Sequence, residues 1–178
     1  MTKSILIAGT GGQGIQFAGK QLAGTGLAFD KYVSYIPSYG PEARGGTSNC
    51  RVIISDEEIG SPVFNKPDIL MVFNLESFEK YEPMLRAGGI LFSDSSLVNK
   101  ISWRDDLNGT YYIPASGLAS DNGLTGMANV IMLAKMLAVT KIFGRDEFLD
   151  HMLESIPKSR AAMIDLNRRA FNIGYSYK

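Results

Sequence analysis

Apolar residues first appear as a short unbroken run, Ile5-Leu6-Ile7-Ala8, and then, beyond a cluster of glycines, at the spacing of Ile15, Ala18, Leu22 and Ala23. The run predicts a buried strand and the spacing after it a helix. Tyr32 to Ile36 predicts a second strand that Pro37 should end. Asn49 to Ser55 predicts a third, because Cys50, Val52 and Ile54 alternate with Arg51, Ile53 and Ser55. Pro37 to Ser48, rich in glycine, proline and polar residues, reads as the loop between them. Asp68 to Phe73 then predicts a buried strand, Glu76 to Arg86 a helix stopped by Gly88-Gly89, and Ile90 to Phe92 and Tyr111 to Ile113 two more strands. Ala128 to Ile142, Asp146 to Ile156 and Lys158 to Ile173 carry helical periodicity.

Strands alternating with helices predict an α/β fold with a mainly parallel sheet, helices on both faces and a helical C-terminal third. No internal repeat or linker divides the chain, and its 178 residues suit a single domain over 1–178. Composition limits the chemistry. Lysine plus arginine equals aspartate plus glutamate at 18 each, so no global field steers the protein to nucleic acid or an anionic membrane. The single cysteine, Cys50, excludes an internal disulfide and cannot furnish an iron–sulfur cluster or a structural zinc site. Met1 to Ser4 leads straight into an apolar run too short for a signal-peptide core or a membrane span, which predicts a cytoplasmic protein.

Gly9-Thr10-Gly11-Gly12-Gln13-Gly14 fits G-x-G-x-x-G between a predicted strand and a predicted helix, the arrangement of a Rossmann-like fold. Glycines at Gly9, Gly11, Gly12 and Gly14 permit a tight turn and close approach of backbone N–H groups to a phosphate, and the helix start favours an anion. The same glycines could serve only to shape the turn. A nicotinamide site also needs an acidic residue closing the second strand, and that strand runs into Ile36-Pro37-Ser38-Tyr39, with Glu42 the first acid beyond it. NAD binding of the usual Rossmann kind is therefore disfavoured, and a Walker A lysine is absent at the required spacing.

Ser38-Tyr39-Gly40-Pro41-Glu42-Ala43-Arg44-Gly45-Gly46-Thr47-Ser48 is the most unusual stretch. Gly40, Gly45 and Gly46 fix turns, Arg44 offers a planar fork of donors for a carboxylate or phosphate, and Tyr39 adds an aromatic face. Tyr39, Gly40, Glu42, Arg44, Gly45, Gly46 and Ser48 are candidates for a partner or ligand loop. The segment should emerge at the carboxyl edge of the sheet beside the glycine turn. An ordinary surface loop with Arg44 paired to Glu42 is the plainer alternative.

These two segments, followed by Ile54-Ser55, Ile59-Gly60-Ser61-Pro62, Pro67-Asp68-Ile69-Leu70, Gly88-Gly89 and Gly126-Met127-Ala128-Asn129-Val130, resemble the gamma-subunit family of 2-oxoacid:ferredoxin oxidoreductases over nearly the whole chain. The resemblance implies a share in converting a 2-oxoacid, coenzyme A and oxidised ferredoxin to an acyl-CoA, carbon dioxide and reduced ferredoxin, with 2-oxoglutarate members the most alike. It implies that thiamine diphosphate, magnesium and iron–sulfur clusters reside on partner alpha, beta and ferredoxin-like delta subunits. It further implies that the turn at Gly9, Gly11, Gly12, Gln13 and Gly14 contributes to the coenzyme A site, that this chain has no catalytic residue or metal of its own, and that it is inactive alone, with a homodimer allowed in isolation. Two alternatives stay open: a stand-alone nucleotide-dependent oxidoreductase, and a non-catalytic nucleotide-sensing module.

Three further residue sets carry no function in this reading. His151, the only histidine, falls in a predicted helix with nothing to bring it to either glycine loop. Cys50 reads as a small packing residue, and Met127, Met132 and Met136 as core or contact residues. Asn129, near a helix start, is open between capping and ligand contact.

Overall fold

The computed structural model describes residues 1–40 and 46–178. Six strands, β1 (Thr2–Thr10), β2 (Tyr32–Tyr39), β3 (Thr47–Ser55), β4 (Ile69–Val72), β5 (Ile90–Asp94) and β6 (Gly109–Ile113), form one sheet in the order β2-β3-β1-β4-β5-β6. The helices are α1 (Ile15–Ala28), α2 (Leu75–Tyr81), α3 (Ala115–Asp121), α4 (Ala128–Thr140), α5 (Arg145–Glu154) and α6 (Ala162–Ser176). β1–β4, β4–β5 and β5–β6 pair in parallel, while β3 runs antiparallel to both β1 and β2. The sheet is mainly parallel, as the alternation predicts, with one reversed strand. The link from β2 to β3 is too short for a crossover, and a short link joins only antiparallel neighbours.

β1 is unbrokenly apolar because both its faces are covered. Ile5 and Ile7 pack in one core with Ile15, Ala18 and Leu22 of α1 and with α4, whereas Leu6 and Ala8 pack in another with Phe78 and Tyr81 of α2. Within α4, Val130 to Ala134 are all buried, so this helix is apolar around its circumference and lies inside the protein. Outside it, the rings of Phe143, Phe148, Phe171 and Tyr175 follow one another at centroid distances of 6.0, 6.1 and 5.8 Å and join α5 to α6. Among the described residues no helix is long and apolar enough to cross a membrane.

Several boundaries differ from those the sequence predicts. β2 continues through Pro37 to Tyr39, and β3 begins at Thr47 rather than Asn49. β2 is an edge strand with β3 as its only neighbour among the described residues, so a proline there can be accommodated. α2 stops at Tyr81 and passes into a 3-10 turn, Glu82–Met84, because Pro83 offers no N–H to an α-helical ladder. The sequence pattern does not predict α3, because Ala-Ser-Gly-Leu-Ala-Ser-Asp is short and carries little apolar periodicity. The last helix starts at Ala162, after a separate 3-10 turn over Lys158–Arg160.

α1 lies close on β3. A Cβ on Gly19 would stand 2.5 Å from the Cys50 sulfur, and the Cys50 thiol donates to the Ile15 carbonyl at 3.6 Å. Cys50 is thus a packing residue, and burial pushes its thiol up to about 12. The native state holds the proton that the unfolded chain releases near pH 8.5. Stability from this group is therefore complete below that value and is lost as pH rises toward the folded value, at about 1.4 kcal/mol per pH unit. Urea midpoints taken between pH 9 and 10 should fall more steeply for the natural chain than for Cys50→Ala. Parallel lines for the two proteins would contradict the assignment.

Candidate functional site

The register brings the two glycine segments to one edge. Thr10, the last residue of β1, pairs with Thr47, and Tyr39, the last residue of β2, pairs with Ser48. The Gly11 N–H donates to the Gly46 carbonyl at 2.9 Å, and the Gly40 N–H donates to the Thr47 carbonyl at 2.7 Å. The turn and the ends of the second segment are thereby tied together at the carboxyl edge. Tyr39, Gly40, Gly46 and Ser48 are all placed there, Tyr39 and Ser48 as strand residues rather than loop residues. Glu42, Arg44 and Gly45 lie outside the described residues. Between the two segments opens a cleft of about 350 Å³, walled by Thr10, Gly12, Gln16, Phe17, Tyr39 and Ser48.

Gly12 and Gly14 have φ of 99° and 74°, the left-handed region that side chains resist. Gly14 precedes α1 with no side-chain cap, so the N–H groups of the first helical turn are left to the cleft's edge, where the positive end of the helix dipole lies. A Cβ on Gly12 would meet nothing within 4 Å, whereas one on Gly14 would overlap the Asn129 amide. Gln13 is held by the fold: its Oε1 accepts from the Thr10 N–H at 2.7 Å and its Nε2 donates to the Phe73 carbonyl at 2.9 Å. Its side chain braces the ends of β1 and β4, and what the turn can offer a ligand is mainly backbone.

Two asparagines complete this edge. Asn74 caps α2 by accepting from the Ser77 N–H at 2.9 Å and donates to Thr10 Oγ1 at 2.7 Å. Asn129, at the start of α4, donates to the Gly14 carbonyl at 3.3 Å, while its Oδ1 is buried without a partner among the described residues. Sequence alone leaves the role of Asn129 open, since 115 residues separate it from Gly14. On the far side of the turn a second cavity of about 240 Å³ is lined by Gly12, Phe73, Ser116, Ser120 and Thr125. It sits where the chain order reverses between β1 and β4, the position at which open α/β sheets place ligands. The buried Asp94 at the end of β5 accepts from Ser116 Oγ at 2.5 Å and from the Ser96 N–H at 3.1 Å, and so anchors the start of α3.

Gln16 was not singled out by sequence, yet it ties α1 to the hairpin. Its Nε2 donates to Ser48 Oγ at 3.1 Å and to the Asn49 carbonyl at 2.9 Å, and its Oε1 accepts from the Tyr35 hydroxyl at 2.7 Å. Desolvation, aided by Cys50 and Tyr39, pushes that hydroxyl up to about 12, so it remains a donor throughout the neutral range. Replacing Gln16 with leucine strands these groups and should cost about 1–3 kcal/mol. Denaturant titration of Gln16→Leu against Gln16→Glu, which keeps the acceptor for Tyr35, checks this; equal stability of Gln16→Leu and the natural chain would refute it.

Among the described residues no group of three His, Cys, Asp or Glu side chains is arranged to hold a metal ion. His151 lies on α5 and faces α1 away from the cleft, with Nε2 at 3.1 Å from the place a Cβ on Gly24 would occupy.

Comparison with known proteins agrees with this architecture. The pyruvate ferredoxin/flavodoxin oxidoreductase family profile matches residues 4–177. The 2-oxoglutarate synthase subunit KorC of Methanocaldococcus jannaschii is 36% identical over 177 residues, covering 98% of this chain and 93% of that protein. The ketoisovalerate oxidoreductase subunit VorA of Methanothermobacter marburgensis is 36% identical over 172 residues, but this chain spans only 35% of its length. Among solved structures, the gamma subunit of a keto/oxoacid ferredoxin oxidoreductase from Geobacter sulfurreducens matches with a TM-score of 0.80 at 33% identity, covering 97% of this chain and 96% of that one. The 2-oxoglutarate:ferredoxin oxidoreductase of Magnetococcus marinus, solved with 2-oxoglutarate, coenzyme A and succinyl-CoA, shares the fold with a TM-score of 0.87 at 20% identity; its match covers 97% of this chain and 30% of that one. With a family match over almost every residue and full-length likeness to separate gamma-type subunits, the chain belongs to the pyruvate ferredoxin/flavodoxin oxidoreductase family as a gamma subunit.

Proposed function

We propose that this gamma subunit serves a CoA-acylating 2-oxoglutarate:ferredoxin oxidoreductase and forms part of its coenzyme A site. The observation that carries the reading is the cleft between the two glycine segments, joined by the Gly11–Gly46 hydrogen bond at the uncapped start of α1. Free backbone donors and a helix dipole suit the phosphates of coenzyme A. Gly12 leaves room for close backbone approach. Arg44 belongs to the same segment in sequence and is proposed as a contact to phosphate or to a partner carboxylate. Tyr39, 68% exposed at the rim, suits a subunit interface, where tyrosine is a frequent anchor.

Carbanion chemistry and electron transfer belong to thiamine diphosphate with magnesium and to iron–sulfur clusters, which this reading assigns to the alpha, beta and delta subunits. The one cysteine here is buried against α1 with a raised thiol pKa and does not fit a cluster's demand for several thiolates. The names of the KorC relatives support 2-oxoglutarate, and those of the VorA and pyruvate synthase relatives mark the alternatives to test. The balanced charge and the cytoplasmic expectation fit a subunit that works within a larger soluble assembly.

Co-expression with its alpha, beta and delta partners provides the test. The assembled enzyme should reduce viologen in a coenzyme A-dependent manner, at least tenfold better with 2-oxoglutarate than with pyruvate or 2-oxoisovalerate. The pure chain should show no turnover with any of them. Viologen reduction by the chain alone would refute the subunit reading, and a preference for another 2-oxoacid would refute the substrate.

A further inference from the structure

A cavity larger than the two described above adjoins the cleft assigned to coenzyme A. It measures about 610 Å³, in the range of small-molecule sites, and opens between α1 and the α5–α6 region. Its walls include Phe17, Met127, Ile156 and Met163 as apolar surface, with Lys20, Arg160 and His151 as nitrogen donors, Asn129 as an amide and no carboxylate. Both cations stand on exposed side chains at the opening, and among the described ion pairs neither Lys20 nor Arg160 has an acidic partner.

Gly24 gives a reason to regard the cavity as built. α1 carries three interior glycines, Gly19, Gly24 and Gly26, each unfavourable in a helix. Packing accounts for two of them: a Cβ on Gly19 would strike Cys50, and one on Gly26 would stand 2.7 Å from Val33. On Gly24 it would meet only His151 Nε2, at 3.1 Å, inside the cavity. The glycine keeps the floor open and leaves the imidazole edge accessible. Gln21, at the same wall, is already satisfied by Ser155 at 3.1 Å, so that amide is a fixed surface, while Lys20 and Arg160 have no acidic partner among the described residues.

We propose that this cavity binds a small organic anion, with its ring or chain against Phe17 and Met163 and its phosphate or carboxylate between Lys20, Arg160 and His151. The apolar walls supply contact area, and the unopposed donors select a negative head group. The cavity meets the cleft in which coenzyme A is proposed to bind at Gly14 and Phe17 and otherwise has different walls, and the proposal takes the two as distinct sites.

The probes are 1-naphthyl phosphate, 1-naphthoate and neutral 1-naphthol, with inorganic phosphate as the head group alone, added to the full chain and followed by backbone amide shifts. The proposal expects shifts centred on Gly24, His151 and Arg160, with at least one naphthyl anion binding tenfold or more tighter than both naphthol and inorganic phosphate. The phosphate and carboxylate arms identify the head group. Gly24→Leu, which fills the floor while improving helix propensity, should weaken the anion at least tenfold without lowering the thermal midpoint. Lys20→Gln with Arg160→Gln should reduce the anion to the affinity of naphthol. Shifts absent from this cavity, equal binding of naphthol, or full binding by Gly24→Leu would overturn the proposal. Competitive displacement of the probe by coenzyme A would overturn the separateness of the site. Failure of coenzyme A to bind the assembled enzyme bears only on the cleft, so the two readings fail independently.

Discussion

Gly174→Val should lower the stability of this subunit by about 3 kcal/mol, the upper part of the usual range for overpacking. Gly174 sits inside α6, where it faces the backbone of α4, and any Cβ at that position would overlap the carbonyl of Ile131. A flexible side chain could rotate away from such a clash; a main-chain carbonyl inside a buried helix cannot. Alanine at a helix interior is ordinarily favoured over glycine by about 1 kcal/mol, and that gain opposes the clash. We expect the clash to win for both Ala and Val, because relieving it means moving α6 off α4 and disturbing the Phe148–Phe171 stack. For a chain of this size the valine variant corresponds to a fall of roughly 6–12 °C in Tm. Scanning calorimetry of Gly174→Ala and Gly174→Val decides the matter: an alanine variant more stable than the natural chain would mean that the helices are not packed this closely.

That close crossing shows where the sequence stops being informative. Glycine at Gly174 reads as an imperfection in an otherwise helical stretch, since nothing local reveals that Ile131 of α4 lies against it. The central strand and the helix behind it are legible for the opposite reason. Ile5 to Ala8 is covered on both faces, so its burial is written as an unbroken apolar run, and the glycines that follow mark the turn directly. β3 cannot be read as antiparallel from its own residues, because alternation fixes faces and says nothing of direction. Pro37 misleads because a proline ends a central strand and is tolerated on an edge, and the edge is known only after the strand order is. At the site, both glycine segments and their common edge were legible from chain order. The Gln16 lock and the Asn129 contact were not, since each depends on residues brought together by the whole sheet.

In the assembled enzyme, Gly12→Val should raise the KM for coenzyme A at least tenfold while leaving decarboxylation of the 2-oxoacid in place. Gly12 has φ of 99°, a conformation that costs a β-branched residue about 1–3 kcal/mol. Its Cβ direction is empty to 4 Å, so the added side chain would strike no neighbour; it would project beside the cleft and the switch-point cavity, both of which Gly12 lines. Two effects then act together: the turn relaxes toward negative φ and withdraws its amides, and the new methyl groups hold a phosphate away from those that remain. Loss of one charge-assisted hydrogen bond accounts for about 1.5–3 kcal/mol of binding, which at 1.4 kcal/mol per decade gives roughly a ten- to hundredfold weaker site. The variant must fold for this to be read, and Gly12→Ala, with the same φ demand and less bulk, provides the comparison. A purely structural role would lower both half-reactions in step with the stability loss. A ligand role separates them: carbon dioxide release from the 2-oxoacid continues with an electron acceptor present, and acyl-CoA formation recovers at high coenzyme A. An unchanged KM in Gly12→Val, in enzyme that assembles normally, would remove the glycine turn from the coenzyme A site.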